Sequence, residues 1–214
     1  MCRRVRPSGA PTHAVRVARP DDADGMAELL MNGLGDKFRP ALGGGGGARL
    51  ADLVRREIGR GETYYVVDDA RGLVGVAHLD LGRHGSPASV RELAASLGWA
   101  RTMWALMVWS LIDAGRRRPE DAYIEEVVVA ERARRRGLGI ALLEACERGA
   151  RAAGRGSVRL VVVWENEGAI SLYRSRGYSV VASKRWWLGR LVYGSRGAHL
   201  MEKALSAPTG AGRG

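Results

Sequence analysis

The stretch from 123 to 164 constrains this chain more than any other. Residues 123–130 (Tyr-Ile-Glu-Glu-Val-Val-Val-Ala) read as a strand, and residues 137–153 read as a helix with Ile140, Leu142, Leu143 and Cys146 apolar. Gly154 and Gly156 end that helix, and the valine-rich run 158–164 has the composition of a largely buried strand. Between the first strand and the helix stands Arg134-Arg135-Arg136-Gly137-Leu138-Gly139. A helix N-terminus offers free backbone N–H groups and the positive end of its dipole, and both suit phosphate. Glycines let the backbone approach an anion closely, and arginines add charge-assisted hydrogen bonds. A pyrophosphate is the natural ligand of such a turn. The G-x-G-x-x-G pattern of a dinucleotide turn and the Gly-Lys-Ser/Thr of a P-loop are both missing. Taken by itself, the loop reads equally well as a basic surface turn that caps a helix.

The rest of the chain supplies a layered frame. Residues 14–18 alternate as a short strand, and Pro20-Asp21-Asp22-Ala23-Asp24 then offers capping oxygens ahead of Met26, Leu29, Leu30 and Leu34 at helical spacing. The five glycines Gly43 to Gly47 should form a mobile loop before a second helix near 49–58, because glycine is a poor helix former. Residues 63–67 and 73–81 read as a hairpin around the turn 68–72. A Trp- and Met-rich segment, 93–112, has helical length and is apolar all round from Met103 to Trp109. It belongs to an insertion at roughly 83–121. Residues 167–176 read as a short helix, and 178–182 and 198–204 as the last two strands. The expected fold is α/β (α+β): a mixed, mostly antiparallel sheet flanked by helices, with a helical insertion before the strand at 123–130. The expected organisation is a flexible 1–12, one domain over 13–204, and a disordered tail over 205–214.

Composition excludes several classes. No apolar run reaches the roughly 18 residues a membrane span needs, and residues 1–13 lack the apolar core of a signal peptide, so the cytoplasm is the expected location. Phenylalanine occurs once, so Leu, Val, Ala and Trp must build the core. Cys2 and Cys146 are too far apart in sequence for a metal-ligand pair, and His13, His78, His84 and His199 are scattered; no metal site is expected. The net charge of +11 favours anionic partners. The basic residues are nevertheless dispersed apart from Arg116 to Arg118 and Arg134 to Arg136, and lysine occurs only at Lys37, Lys184 and Lys203. Nucleic-acid binding is therefore disfavoured as the main function.

Beyond the second strand runs Asn166-Glu167-Gly168-Ala169-Ile170-Ser171-Leu172-Tyr173-Arg174-Ser175-Arg176-Gly177-Tyr178. Asn166 can cap a helix, Tyr173 lies about two turns later, and Gly177-Tyr178 stops the helix and begins a strand. Residues 123–182 resemble the motif-bearing half of the GNAT family of N-acetyltransferases. Arg134, Gly137 and Gly139 match the family's Arg/Gln-x-x-Gly-x-Gly/Ala motif. Asn166, Ala169, Tyr173, Gly177 and Tyr178 match its Asn-x-x-Ala-x-x-x-Tyr hallmark with the following Gly and aromatic, and His199 to Lys203 resembles its final strand.

The resemblance implies acetyl-coenzyme A as cofactor. The backbone of Val127, Val128 and Val129 would meet the pantetheine arm, and Arg134, Arg135, Arg136, Gly137, Leu138, Gly139 and Ile140 would form the pyrophosphate turn. Asn166 would contact the cofactor, and Tyr173 would stand near the thioester sulfur. The general base is Glu125 or Glu126. If adjacent strand residues face opposite sides, only one can point at the acceptor, and Glu125, on the face of Tyr123, Val127 and Val129, is favoured. A polar strand entry with no catalytic role is the competing reading. Near Val161 some family members carry an acidic residue, and that base candidate is absent here.

The implied function is transfer of an acetyl group to a primary amine of a small molecule or protein. The alternative is a non-catalytic acyl-CoA-binding or regulatory domain on the same fold. The acceptor pocket would fall on residues 32–50 and 183–197, where Ser183 to Arg190 mixes cations with tryptophans. The insertion completes the core, walls an apolar acceptor pocket or forms a homodimer interface; core completion is the preferred reading.

Overall fold

The computed structural model describes residues 14–42, 46–82, 118, 120–185 and 195–205, with side chains left out at 34–42. The elements in order are β1 (Val15–Val17), α1 (Ala23–Leu42), α2 (Gly46–Gly59), β2 (Thr63–Asp69), β3 (Gly72–Asp80), β4 (Asp121–Val129), α3 (Leu138–Ala152), β5 (Ser157–Val163), α4 (Glu167–Ser175), β6 (Ser179–Arg185) and β7 (Gly197–Ala204). They form one seven-stranded sheet in the order β1-β2-β3-β4-β5-β7-β6. Every neighbouring pair is antiparallel except β4 and β5, which are parallel. The expected mixed, mostly antiparallel sheet flanked by helices is therefore what the chain forms. The insertion at 83–117, the first twelve residues, the tryptophans at 186 and 187 and the tail after 205 lie outside the described residues.

Two apolar layers sandwich the sheet. On one face α1 and α2 bring Met26, Leu29, Leu30, Leu50, Ala51 and Val54 against Tyr64, Val66, Val76 and Val128. On the other, α3 brings Leu138, Leu142, Leu143, Cys146 and Ala150 against Ala77, Leu79, Ala122, Ile124, Val158, Leu160 and Met201. Burying such aliphatic side chains stabilises by roughly 1.5–3 kcal/mol each relative to exposure. Gly149 is needed for this layer: a Cβ there would collide with the Tyr65 hydroxyl and stand 2.9 Å from Leu79 Cδ2.

Two expectations about ends are revised. Helix α2 begins at Gly46, not near Arg49, and Gly46 is buried. Packing of Leu50, Ala51 and Val54 carries the helix back through residues whose intrinsic preference opposes it. Leu205, placed in the disordered tail by composition, is 6% exposed and its N–H donates to Gly156 O at 2.8 Å.

The geometry that matters most lies along β4. It pairs with β5 only from Asp121↔Ser157 to Ile124↔Leu160. Beyond that, β4 runs on to Val129 and β5 to Val163 without pairing to each other, and the two strands open as a wedge. Its closed end is tied by buried charges. Arg159 Nε lies 2.9 Å from Asp121 Oδ2, and Arg159 Nη2 lies 2.5 Å from Glu202 Oε2, which joins β4, β5 and β7 within the paired stretch. Asp121 also accepts from the Ser157 hydroxyl at 2.6 Å.

On its other side β4 carries a bulge. Ala77 pairs with Val127 and Leu79 with Ile124, so two steps along β3 match three along β4, and His78 opposes both Glu125 and Glu126. The facing confirms it. Ala122 and Ile124 pack in the α3 layer, as do Val127 and Val129, whereas Val128 packs under α1 and α2. The alternation slips by one residue across the two glutamates.

Candidate active site

Three parts converge on the wedge, the first being its open strand edge. The Ala130 N–H donates to Val74 O on the β3 side. Strand alternation then turns the backbone groups of Val129 and Val127 away from β3, toward the wedge, while those of Val128 pair with β3. Of the three valines expected to present backbone to a cofactor arm, two face the opening. Arg134 Nε reaches Val129 O at 3.3 Å, which agrees with that direction.

The second part is the turn. Residues Glu131–Ala133 make a single 3-10 turn, pinned by Ala133 at 1% exposure. The chain then takes two left-handed steps, Arg135 at φ 61° and Gly137 at φ 79°. Gly137 adopts that conformation at no steric cost, whereas at Arg135 it costs roughly 1–2 kcal/mol. No side chain caps α3, and its ladder begins with Ala141 N–H donating to Gly137 O at 3.0 Å. The amides of Leu138, Gly139 and Ile140 therefore lie ahead of the first helical bond, as free donors at the positive end of the dipole. Arg135 and Arg136 are exposed beside them. Arg134 instead folds back toward Val129 and Glu131, the latter at 3.4 Å. This combination of unspent amides, left-handed turn and cations fits a diphosphate, and the open β4 edge fits an extended amide-bearing arm.

The third part is α4. Asn166 Oδ1 accepts from Ala169 N–H at 3.2 Å, so this asparagine caps the helix as expected. Tyr173 packs against the α3 layer that holds Val127 and Val129, and its ring meets Tyr178 at 5.9 Å between centroids, tilted by 55°. A Cβ added at Gly139 would lie 3.6 Å from Leu172 Cδ2 and 4.0 Å from Val129 Cγ2, so the start of α3, α4 and the end of β4 meet at one place. Burial, with a smaller contribution from Cys146, pushes the Tyr173 hydroxyl up to about 12. It therefore keeps its proton across the physiological range and can act as a hydrogen-bond donor or acid.

On the opposite face of the sheet, the bulge gathers a charged cluster. His78 Nδ1 lies 3.4 Å from Glu126 Oε2, and its Nε2 lies 3.5 Å from Glu62 Oε2. The ring stacks on Tyr64 at 4.1 Å and 10° between planes, and the Tyr64 hydroxyl donates to Glu57. Burial opposes charge on His78. The hydrogen bonds to Glu126 and Glu62 and the charges of Glu126 and Glu125 outweigh it and raise the imidazole well above its ordinary value. Glu57 is raised by burial, against the Tyr64 hydrogen bond.

The expectation that alternation would let only one of Glu125 and Glu126 point at an acceptor is thereby corrected. Both carboxylates lie with His78 in a group whose ligand atoms are within 4.8 Å of one another, because the bulge cancels the alternation. A cation would fit that spacing, although a doubly protonated imidazole donates to the carboxylates rather than ligating a metal. Sequence reading missed His78, Glu57, Glu62 and Tyr64. A lone histidine in a strand carries no local signal, and its partners come from three other elements.

Comparison with known proteins agrees with this fold. The model of the acetyltransferase (GNAT) family matches residues 39–178. Among solved structures, the ribosomal-protein-S18-alanine N-acetyltransferase from Escherichia coli superposes with a TM-score of 0.60 at 14% identity, over 95% of this chain and 99% of that one. Naa20 from Chaetomium thermophilum, in complex with a bisubstrate analogue, gives a TM-score of 0.52 at 25% identity, over 90% and 86%. The IAA acetyltransferase from Bacillus cereus gives 0.56 at 14% identity, over 91% and 100%. No curated protein matched by sequence. No helix among the described residues is long and apolar enough to cross a membrane.

Proposed function

Because the chain belongs to the GNAT family of acetyltransferases, we propose that it transfers an acetyl group from acetyl-CoA to a primary amine of a small molecule or protein, in the cytoplasm. The observation that carries this reading is the wedge. Pairing of β4 with β5 stops at Ile124↔Leu160, and the edge so opened leads to an α3 N-terminus with unspent amides.

When bound, acetyl-CoA supplies a thioester carbonyl open to attack by an amine. The amides of Leu138, Gly139 and Ile140, with Arg135 and Arg136, would hold the diphosphate end. The edge groups of Val127 and Val129 would hold the arm, and a backbone N–H there would be the donor for the carbonyl oxygen. Arg134 steadies the turn through Val129 O, and Asn166 sets the start of α4 by its cap. Tyr173 holds a proton for the departing sulfur, which suits a hydroxyl pushed up to about 12. The acceptor enters from the side of the bulge, where Glu125 or Glu126 takes the amine's proton. The carboxylates of Glu57, Glu62, Glu125 and Glu126 outnumber the His78 charge, so the approach favours a cationic ammonium even though the whole chain carries +11.

The test is acetyl-CoA consumption against a panel of primary amines, peptides and aminoglycosides. Release of free thiol with a cationic primary amine, above the rate with water, is expected. Saturable CoA binding with no turnover on any amine would favour the non-catalytic acyl-CoA-binding reading instead.

A further inference from the structure

We propose that His78 is a positioning residue for this transfer: as an imidazolium set between Glu62 and Glu126 and beside Glu125, it holds the two carboxylates of the β4 bulge side by side, ready for the amine's proton. The inference rests on the acetyl-transfer reading and deepens it.

Three observations lead there. First, the bulge exists only opposite His78. The register slips between Ala77 and Leu79, and both glutamates fall across from this one residue. Two adjacent carboxylates on the same side of a strand repel each other, and a cation beside them, its ligand atoms within 4.8 Å of both, offsets that cost. Second, the ring is immobilised. His78 is 7% exposed, stacked on Tyr64, and Tyr64 is held in turn through its hydroxyl by Glu57 of α2. Third, each ring nitrogen has its own carboxylate, Glu126 at 3.4 Å and Glu62 at 3.5 Å. A neutral imidazole has one donor and would leave one carboxylate facing a lone pair; only the doubly protonated ring satisfies both.

The titratable groups facing His78 among the described residues are Glu57 from α2, Glu62 from the turn before β2, Tyr64 from β2, and Glu125 and Glu126 from β4. Removing the one cation from this group leaves the carboxylates to repel each other in a partly dry site. Their protonated forms are then favoured, and ionisation needs a higher pH.

The experiment compares wild type with His78→Gln in the full chain, using the amine that scores in the panel. Glutamine keeps hydrogen-bonding capacity but carries no charge. The acid limb of kcat/KM is expected to move to higher pH by about one unit or more, with CoA affinity within about twofold of wild type. An unmoved acid limb with a uniform loss of kcat would make His78 merely structural and overturn the proposal. The ring carbon shifts of His78 in the wild-type protein, followed by NMR, give a second reading that needs neither the variant nor turnover. An imidazolium at neutral pH is expected, and a neutral ring would overturn the proposal. Failure of the acetyl-transfer reading looks different: no CoA binding or no acetylated amine, whatever the charge on His78.

Discussion

Tyr173→Phe is expected to slow turnover by about 10²–10⁴-fold, the usual contribution of a positioned general acid, while CoA binds as before. The phenylalanine ring keeps the contact with Tyr178 and the packing against the α3 layer. Only the hydroxyl is lost, and among the described residues nothing depends on it for a hydrogen bond, so thermal stability should hardly change. A loss in kcat with little change in KM or CoA affinity locates the effect in the transition state. Because burial pushes the hydroxyl up to about 12, the wild-type rate should show no loss from tyrosine ionisation below about pH 11. An unchanged kcat in the phenylalanine variant would remove Tyr173 from the chemistry.

The largest effect on stability is expected at Arg159. Its side chain is 5% exposed and that of Asp121 is 6% exposed, so Arg159→Met strands a buried carboxylate at the closed end of the wedge. Breaking one partner of a buried ion pair costs about 3–5 kcal/mol, a large share of a typical domain's roughly 5–15 kcal/mol. Asp121 would keep its bond from the Ser157 hydroxyl, and Glu202 can turn toward solvent. The loss should therefore come chiefly from Asp121. Urea unfolding measures it, and adding Asp121→Leu to Arg159→Met should recover much of the loss by removing the stranded charge. A single-variant loss below about 1 kcal/mol would mean that this ion pair does not tie β4 to β5.

What could be read from the sequence divides along the distance over which each feature is determined. The β4–turn–α3 unit and the Asn166 cap were legible because each is set locally: glycine at 137 where φ is 79°, an asparagine one residue before a helix, and apolar residues at helical spacing. The bulge was not legible. It is a property of the register between β3 and β4, and nothing within Tyr-Ile-Glu-Glu-Val signals that the alternation will slip. The assignment of faces to Glu125 and Glu126 failed for that reason, and His78, which the sequence shows only as one of four scattered histidines, gave no sign of partners that sit on other elements. The start of α2 was misplaced because burial of Gly46 and the following apolar side chains prevailed over the low helix preference of glycine. The wedge follows the same logic. Two Val-rich strands can be recognised one at a time, but where their pairing ends is a property of the register between them, which neither segment shows alone.

The central claim is that unspent amides at the start of α3 and the open edge of β4 together seat coenzyme A. Calorimetric titration tests it most directly, with CoA and with pantetheine, which shares the arm but has no diphosphate. A saturable heat with CoA and binding at least tenfold weaker with pantetheine are expected. No heat with CoA, or equal affinity for the two, would contradict the account.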